Sequence, residues 1–237
     1  MREGQGTKTA APNINDIEEE FEKALSAGKD VLFTCLSSGI SSTINNAFIC
    51  REEMQEKYPD ADICVFDSIC ACGGHGMLIY HAIENKKKGM SAKENMQALE
   101  ELKHRIVHKF TVDDLTYLQR GGRISKTAAM IGGMIQLKPV LHVDTEGRLA
   151  AESKVRGRRK ALNQLVSEME SCVGSYADKQ EMVLICHADC LEDAEYVQAK
   201  VEEQFHPDKI IISEVGPIIG AHVGPGTMTL FFLGDKR

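Results

Sequence analysis

Residues 30–43 read DVLFTCLSSGISST and define the first structural unit of the chain. The run over residues 30–36 is short and mostly apolar, which is typical of a strand buried in a sheet. Ser37, Ser38 and Gly39 interrupt this run, and residues 40–58 then predict a helix that Pro59 ends. The unit is therefore a buried strand, a turn rich in hydroxyl groups, and a helix.

The same alternation continues on both sides of this unit. A helix is predicted over residues 15–27, and residues 62–66 (DICVF) predict a second buried strand. Helices over residues 73–87 and 91–103 then lead to a third strand over residues 106–112. Strands that alternate with helices indicate a parallel sheet covered by helices.

The pattern changes after residue 112. Residues 137–143 and 149–155 are strand-like runs joined by the short loop DTEGR, which is typical of an antiparallel hairpin. Ser125 can cap a helix up to Ile135 that is made almost wholly of small and apolar residues, and such a helix must be buried or face an apolar ligand. The remaining predicted elements are helices over residues 158–171 and 191–204 and strands over residues 182–187, 209–215 and 227–233.

We therefore predict an α/β protein with two lobes. The first, over residues 1–112, holds the parallel sheet covered by helices. The second, over residues 113–237, is an α+β lobe with a mixed or antiparallel sheet. Neither an internal repeat nor a low-complexity linker marks the boundary.

Composition restricts the classes of function. The net charge of −7 argues against a general nucleic-acid binder, which needs a broad basic surface. No apolar run approaches the roughly 20 residues that span a membrane, and the polar, acidic start of the chain does not resemble a signal peptide. The eight cysteines sit mostly in apolar patterns, so we expect reduced, buried thiols and a cytoplasmic protein.

The turn after the first strand is a candidate anion site. Backbone N–H groups at the start of a helix are unpaired and carry partial positive charge, so they bind carboxylates and phosphates. Ser38 and Ser41 add hydroxyl donors, and Gly39 lets a ligand approach closely. The simpler interpretation is that one of the serines caps the helix, and the sequence leaves both open.

A pair of arginines, Arg120 and Arg123, flanks two glycines directly before the predicted apolar helix. The planar fork of arginine donors suits carboxylate and phosphate, and a cationic turn beside an apolar helix is the geometry that an amphipathic anion needs. An arginine pair that bridges surface carboxylates explains the spacing equally well.

Two further features carry groups that can bind an anion. Residues 154–160 (KVRGRRK) form a second basic cluster, which includes Arg156 and Arg158. Basic runs are usually solvated surface or an RNA contact, but two clusters in one acidic chain favour convergence on a single anion. His222 lies in a predicted Gly-rich loop over residues 220–227, although a lone histidine in a loop is more often structural.

Several stretches together resemble the DegV family of fatty-acid-binding proteins, which includes the lipid-carrier subunits of bacterial fatty acid kinase. They run in family order over essentially the whole chain. The stretches are KTAAP (8–12), LSSGISST (36–43), VFDS (65–68), FTVDDLTYLQRGGRIS (110–125), LKPVL (137–141), KVRGRRKAL (154–162) and GAHVGPGT (220–227).

The resemblance implies two α/β lobes with an acyl chain buried between them. It implies that a threonine and a serine hold the ligand carboxylate, which places them on Thr9 and Ser38. The basic and histidine groups around the head would be Arg123, Arg156 and His222. A separate kinase subunit would transfer phosphate from ATP to the bound acid, so this chain would be a carrier without catalytic residues, cofactor or metal.

The chain also departs from the family pattern. Ala10 replaces the hydroxyl that usually follows the threonine, and Ser42 stands where glycine is common. Members usually begin with a further strand–helix–strand segment that carries an Asp-Ser motif, so we expect a first lobe truncated relative to the family.

The leading hypothesis is a cytoplasmic carrier of a long-chain fatty acid that a partner kinase recognises, with no nucleic acid and no stable membrane insertion. One alternative is a stand-alone phosphotransferase or hydrolase that uses His222 with a nearby serine or cysteine, and the lack of a nucleophile-elbow pattern counts against it. Another is a nucleic-acid-binding module built on residues 154–160, which the net charge opposes.

Overall fold

The structure is a computed structural model that describes residue 1, residues 6–124 and residues 137–237. The helices are α1 (Ile14–Leu25), α2 (Thr43–Lys57), α3 (Cys72–Lys87), α4 (Ala92–Leu102), α5 (Thr116–Arg120), α6 (Arg158–Val173), α7 (Leu191–Phe205) and α8 (Pro217–Val223), with a 3-10 turn at Gly174–Tyr176. The strands are β1 (Val31–Cys35), β2 (Ile63–Asp67), β3 (Ile106–Thr111), β4 (Leu137–Val143), β5 (Leu149–Arg156), β6 (Val183–His187), β7 (Ile210–Glu214) and β8 (Met228–Leu233).

A small sheet is formed by β1 and β2, which pair in parallel from Val31 opposite Ile63 to the ends of both strands. Helices α1 and α2 pack on this sheet. Helix α1 begins at a capping box in which Asn13 bonds the backbone of Asp16, and it buries Phe21 on its inner face. The predicted first unit, a buried strand followed by a turn and a helix, is therefore confirmed.

The larger sheet has six strands in the order β5-β4-β3-β8-β6-β7. Strands β6 and β7 are parallel, and the other neighbouring pairs are antiparallel. The hairpin predicted between residues 137 and 155 is β4 and β5. A small parallel sheet and a larger mixed sheet together confirm the predicted α/β class.

Strand β3 differs from the prediction. The alternation placed residues 106–112 third in the parallel sheet, but β3 lies inside the larger sheet, antiparallel to both β4 and β8. Its six residues are all buried, and a central strand would show this burial in a parallel sheet and in a mixed sheet alike. The local pattern therefore identified the strand and not its partners. The lobe boundary after residue 112 stays a prediction.

Both faces of the larger sheet are covered. Helices α6 and α7 pack on one face, over a core that includes Leu165 and Phe232. Helix α3 packs on the other face, where Met77 and Leu78 meet Phe231. Helix α4 packs against α3 and also against β1 and β2. The pair α3 and α4 therefore connects the two sheets into one layered body.

Two short helices, α5 and α8, were not predicted from the sequence. Helix α8 replaces the first part of the predicted Gly-rich loop, so His222 lies on a helix. Helix α5 carries Arg120 at its last position. The apolar helix predicted over residues 125–135 lies outside the described residues. Among the described residues, no helix combines the length and the apolar character that crossing a membrane needs.

Candidate functional site

A cavity of about 350 Å³ lies where the turn after β1 approaches β3, β8 and α8 of the larger sheet. Its volume is within the range of about 300–1,000 Å³ that small-molecule sites occupy. Most of the wall is apolar. The large aliphatic and aromatic side chains that line it are Phe33, Leu36, Ile40, Phe110, Leu118, Val143, Leu149, Ile218, Ile219, Val223 and Phe231. The cavity therefore suits a ligand with a substantial apolar part.

One part of the wall is polar, and it joins the two ends of the chain. The Oγ1 atom of Thr9 lies 2.7 Å from Nε2 of His222, at hydrogen-bond distance, although the residues are 213 positions apart. Nearby, the hydroxyl of Thr7 donates to the carbonyl oxygen of Ala221 over 3.1 Å. The extended segment before α1 therefore packs on α8. Thr9 is exposed and also lines the cavity, so this polar end lies at the protein surface.

Arg123 contributes a positive charge to the same cavity. Its Nε donates to the carbonyl of Ile40 over 3.0 Å, and its Nη1 donates to the carbonyl of Gly121 over 2.5 Å. These bonds hold the guanidinium in place without neutralising it, because both acceptors are backbone carbonyls. Within the described chain, Arg123 has no carboxylate partner. A fixed cation without a counter-ion is suited to an anionic ligand.

His222 is kept neutral by its surroundings. Burial lowers the pKa of its imidazole below the usual value of 6.5, and the charge of Arg123 lowers it further. A neutral imidazole has one donor and one acceptor nitrogen. Nε2 lies at hydrogen-bond distance from Thr9 Oγ1. In the tautomer in which Nε2–H donates to Thr9, the hydroxyl proton of Thr9 is free to bond an anion.

The turn after β1 presents two of its serines to the cavity. Ser41 and Ser42 line the cavity, whereas Ser38 and Gly39 do not. Ser38 is exposed, and its backbone N–H donates to Oδ1 of Asp67 over 3.1 Å. The simpler interpretation of the turn was that a serine caps α2. The side chain of Ser42 makes no capping bond, but Ser41 accepts the N–H of Thr43, the first residue of the helix.

Ser41 is oriented by its neighbour on α2. Its Oγ lies 2.9 Å from the hydroxyl of Thr43 and accepts the backbone N–H of that residue over 3.3 Å. Ser41 is therefore the partly buried hydroxyl of this turn that a ligand in the cavity can reach.

The second basic cluster lies away from the cavity wall. Arg156 is exposed at the end of β5, and Arg120 is exposed at the end of α5. Arg158 is paired with carboxylates, at 2.8 Å from Asp193 and 3.5 Å from Asp113. Of the six predicted site residues, the structure brings Thr9, Arg123 and His222 to the cavity, and it places Ser38, Gly39 and Arg156 outside it.

Two more histidines line the cavity, and sequence reasoning gave neither a role. His75 on α3 has its Nε2 atom 2.9 Å from the hydroxyl of Thr34 on β1. His108 on β3 is fully buried; its Nε2 accepts the N–H of Ala71, and its Nδ1 donates to the carbonyl of Ile106. Burial lowers the pKa of His75 to about 4 and that of His108 well below 6.5. Both rings are therefore neutral at neutral pH.

The cavity thiols are not prepared for nucleophilic chemistry. Cys35 and Cys72 line the cavity. Burial raises the pKa of Cys35 to about 12, and a hydrogen bond with Cys186 together with burial raises that of Cys72. A thiol with a raised pKa stays protonated and is a weak nucleophile. Over the part of the chain that the structure describes, no cluster of three His, Cys, Asp or Glu residues could hold a metal ion.

Comparison with known families gives a match over nearly the whole chain. The profile described as an uncharacterised protein of the DegV family matches residues 1–235. Among curated proteins, a DegV domain-containing protein of Clostridium perfringens is 41% identical over 237 residues, which is 100% of this chain and 81% of that protein.

Solved structures share the fold. A structure described as fatty acid binding of a DegV family protein from Thermus thermophilus has a TM-score of 0.86 and 26% identity, and the match covers 98% of this chain and 81% of that one. The fatty acid kinase (Fak) B3 protein of Streptococcus pneumoniae, loaded with linoleic acid, has a TM-score of 0.88 at 21% identity, with 98% and 80% covered.

Proposed function

This chain belongs to the DegV family, and we propose that it is a carrier that binds a long-chain fatty acid in the cavity described above. The observation that carries the proposal is the pairing of an apolar wall with a polar end at which Arg123 has no carboxylate partner within the described chain. The relative from Thermus thermophilus, which is described as binding fatty acid, supports the same ligand class.

Apolar contact would supply most of the affinity. Burying one CH₂ group stabilises a complex by about 0.8 kcal/mol, so a long acyl chain gains from every methylene that enters the cavity. The carboxylate adds orientation, because a charged head that lacked partners would be costly to desolvate. An amphipathic anion therefore fits both parts of the wall, whereas a purely polar anion would leave most of it without complementary contacts.

We assign the head group to Thr9, Arg123 and His222, with Ser41 as the serine of the site. Ser41 replaces Ser38 in this role because it lines the cavity and Ser38 does not. Arg123 would contribute charge, while the hydroxyls of Thr9 and Ser41 would contribute donors. Neutral His222 would donate its Nε2–H to Thr9 Oγ1, which leaves the Thr9 hydroxyl free to donate to the carboxylate.

Presentation to a kinase is the second part of the proposal. The polar end lies beside exposed Thr9, so a carboxylate bound there would be within reach of a second protein. Phosphoryl transfer develops negative charge that cations stabilise, and Arg123 is a cation already fixed at this end. Arg156 is exposed on β5 and is proposed to contact the kinase rather than the lipid. The chain itself would act in the cytoplasm without catalysing a reaction.

The alternative of a stand-alone hydrolase or phosphotransferase gains no support from the geometry. Thr9 and His222 do form a hydroxyl–imidazole pair. However, no described residue hydrogen-bonds to Nδ1 of His222, so the described part of the chain supplies no third group to orient the ring as a base.

Native mass spectrometry of the purified chain, followed by titration of delipidated protein with oleic acid, tests the carrier proposal. We expect co-purified fatty acid and saturable binding. Arg123→Gln should weaken binding by roughly tenfold, since one charge-assisted contact is lost, while Arg120→Gln, which changes an exposed arginine outside the cavity, should not. A purified chain that carries no lipid and takes up no oleic acid would refute the proposal. Equal loss of affinity in Arg123→Gln and Arg120→Gln would show that Arg123 does not bind the head group.

A further inference from the structure

The part of the cavity wall formed by β1 and α3 contains a second polar group. Thr34 and His75 both line the cavity, and their side chains are hydrogen-bonded to each other over 2.9 Å. The wall around the cavity is otherwise largely apolar and includes Phe33, the residue before Thr34, and Phe231. The pair is separate from the Thr9–His222 contact that we assigned to the head group.

Two other polar side chains in the wall, His108 and Thr229, are already hydrogen-bonded within the protein. His108 uses both ring nitrogens, one for Ala71 and one for Ile106. The hydroxyl of Thr229 donates to the carbonyl of Cys186 over 2.9 Å and accepts the N–H of the same residue over 3.1 Å. These groups are satisfied without a ligand, so an acyl chain can pass over them at little cost.

The Thr34–His75 pair keeps hydrogen-bonding capacity that the described chain does not use. The only bond between described residues that involves either side chain is the one that joins them. His75 is only partly buried and lines the cavity, so a ligand or water in the cavity can approach its ring. An unsubstituted acyl chain would displace water from this wall and leave the pair incompletely bonded, which has a cost in free energy.

The spare capacity matches one kind of substituent. If His75 donates its proton to Thr34, then Nδ1 is an acceptor and the Thr34 hydroxyl is a free donor. If the Thr34 hydroxyl donates to His75, then Nδ1 carries the proton and Thr34 keeps free acceptor capacity. In both arrangements the pair offers one donor and one acceptor. A hydroxyl group is both acceptor and donor, whereas a carbonyl oxygen can only accept.

We propose that Thr34 and His75 form a subsite for a hydroxyl group on the acyl chain, so that this protein prefers hydroxy fatty acids to unsubstituted ones. The inference rests on the proposed function, because it names the chemical class of lipid that the same cavity selects. It assigns His75 and Thr34 to specificity and leaves the head group to the residues described above.

The test is calorimetric titration of the delipidated full chain with a positional series of monohydroxystearic acids, and with stearic acid as the reference. We expect at least one position to bind roughly three- to tenfold more tightly than stearic acid, which corresponds to one net hydrogen bond. Thr34→Val and His75→Phe keep the size of the wall and should each reduce that ratio to about one. Phe33→Leu changes the wall without removing a polar group. It should therefore change the affinities for hydroxystearic acid and for stearic acid alike and keep the ratio between them.

Two results would overturn the inference. One is that no hydroxystearic acid in the series binds more tightly than stearic acid. The other is that the preference for a hydroxystearic acid persists unchanged in both Thr34→Val and His75→Phe. If stearic acid binds normally in either case, the carrier function stands and only the hydroxyl subsite fails. If neither stearic nor hydroxystearic acid binds, the carrier function and the subsite fail together.

Discussion

The Oγ atom of Ser37 donates a hydrogen bond to the carbonyl oxygen of Gly147 over 2.8 Å, which joins the turn after β1 to the turn of the β4–β5 hairpin. The contact spans 110 positions of the chain. Ser37 is fully buried, and its Oγ also accepts the N–H of Gly39 over 3.0 Å. Gly147 has φ of 76°, and a Cβ there would lie 2.0 Å from Ser37 Oγ. The small sheet and the larger sheet therefore meet at a contact that tolerates little change.

Replacing Ser37 by Ala should destabilise the fold by about 1–3 kcal/mol, because a buried carbonyl and a backbone N–H both lose a partner. Ser38→Ala, one position away at an exposed site, should change stability by less than about 0.5 kcal/mol. Urea unfolding followed by circular dichroism measures both values. Equal losses in the two variants would contradict the structural role of Ser37.

Thr9→Val should weaken fatty acid binding by roughly three- to tenfold, because the head group would lose one hydroxyl donor. Thr7→Val is the matched control, since Thr7 is also an exposed threonine that contacts α8 but bonds a backbone carbonyl and does not line the cavity. Titration of delipidated protein with oleic acid compares the two variants. The same loss of affinity in Thr7→Val would mean that packing on α8, and not the hydroxyl of Thr9, affects binding.

The free energy of unfolding should fall as the pH is lowered from about 6.5 to about 4. Burial lowers the pKa of His75 from 6.5 to about 4, so in this window the unfolded chain binds a proton that the folded chain does not. Each pH unit then costs up to about 1.4 kcal/mol for this group. His108 acts in the same direction, because burial also lowers its pKa.

His75→Phe should flatten this dependence, whereas Thr34→Val, which keeps the buried imidazole, should retain most of it. Urea unfolding at a series of pH values measures the slope for each protein. An unchanged slope in His75→Phe would show that other groups account for the acid sensitivity.

Glu152→Gln should destabilise the fold by about 2 kcal/mol or more. Lys109 on β3 is fully buried, with its Nζ atom 2.8 Å from both carboxylate oxygens of Glu152 and 3.9 Å from Glu168. Removing one partner leaves a buried ammonium with only the more distant carboxylate. Glu146→Gln breaks an exposed pair with Arg148 and should cost less than about 0.5 kcal/mol. Thermal unfolding compares the two variants. Similar decreases in melting temperature would show that the buried ammonium of Lys109 does not depend on Glu152.

Much of the fold could be predicted because its helices and strands have strong local signals. The strand 30–36 is mostly apolar and is followed by a turn, and the structure has β1 at Val31–Cys35. Strand partners are different, because hydrogen-bond pairing depends on distant segments. For this reason residues 106–112 were assigned to the wrong sheet although the strand itself is present.

The site was predicted in part, and for similar reasons. Helix α8 was read as a loop because its seven residues are too few for periodicity, although Pro217 at its start and Gly224 after its end are helix signals. Which serine of the turn faces the cavity depends on the turn's geometry, so the motif alone could not separate Ser38 from Ser41. The Thr34–His75 pair was missed because a threonine in an apolar strand is unremarkable until the facing helix is in place.

The order in which the chain is synthesised has a consequence for the site. Strand β8 comes last in the chain, yet it lies between β3 and β6 in the middle of the larger sheet. His222 and Val223 of the cavity precede it by only a few residues. A nascent chain on the ribosome therefore has unpaired edges on β3 and β6, and a polar end that lacks His222, until residues 222–233 have emerged. Under the proposed carrier function, we expect lipid to bind only after β8 has inserted between β3 and β6, so occupancy of the cavity would report that the larger sheet is assembled.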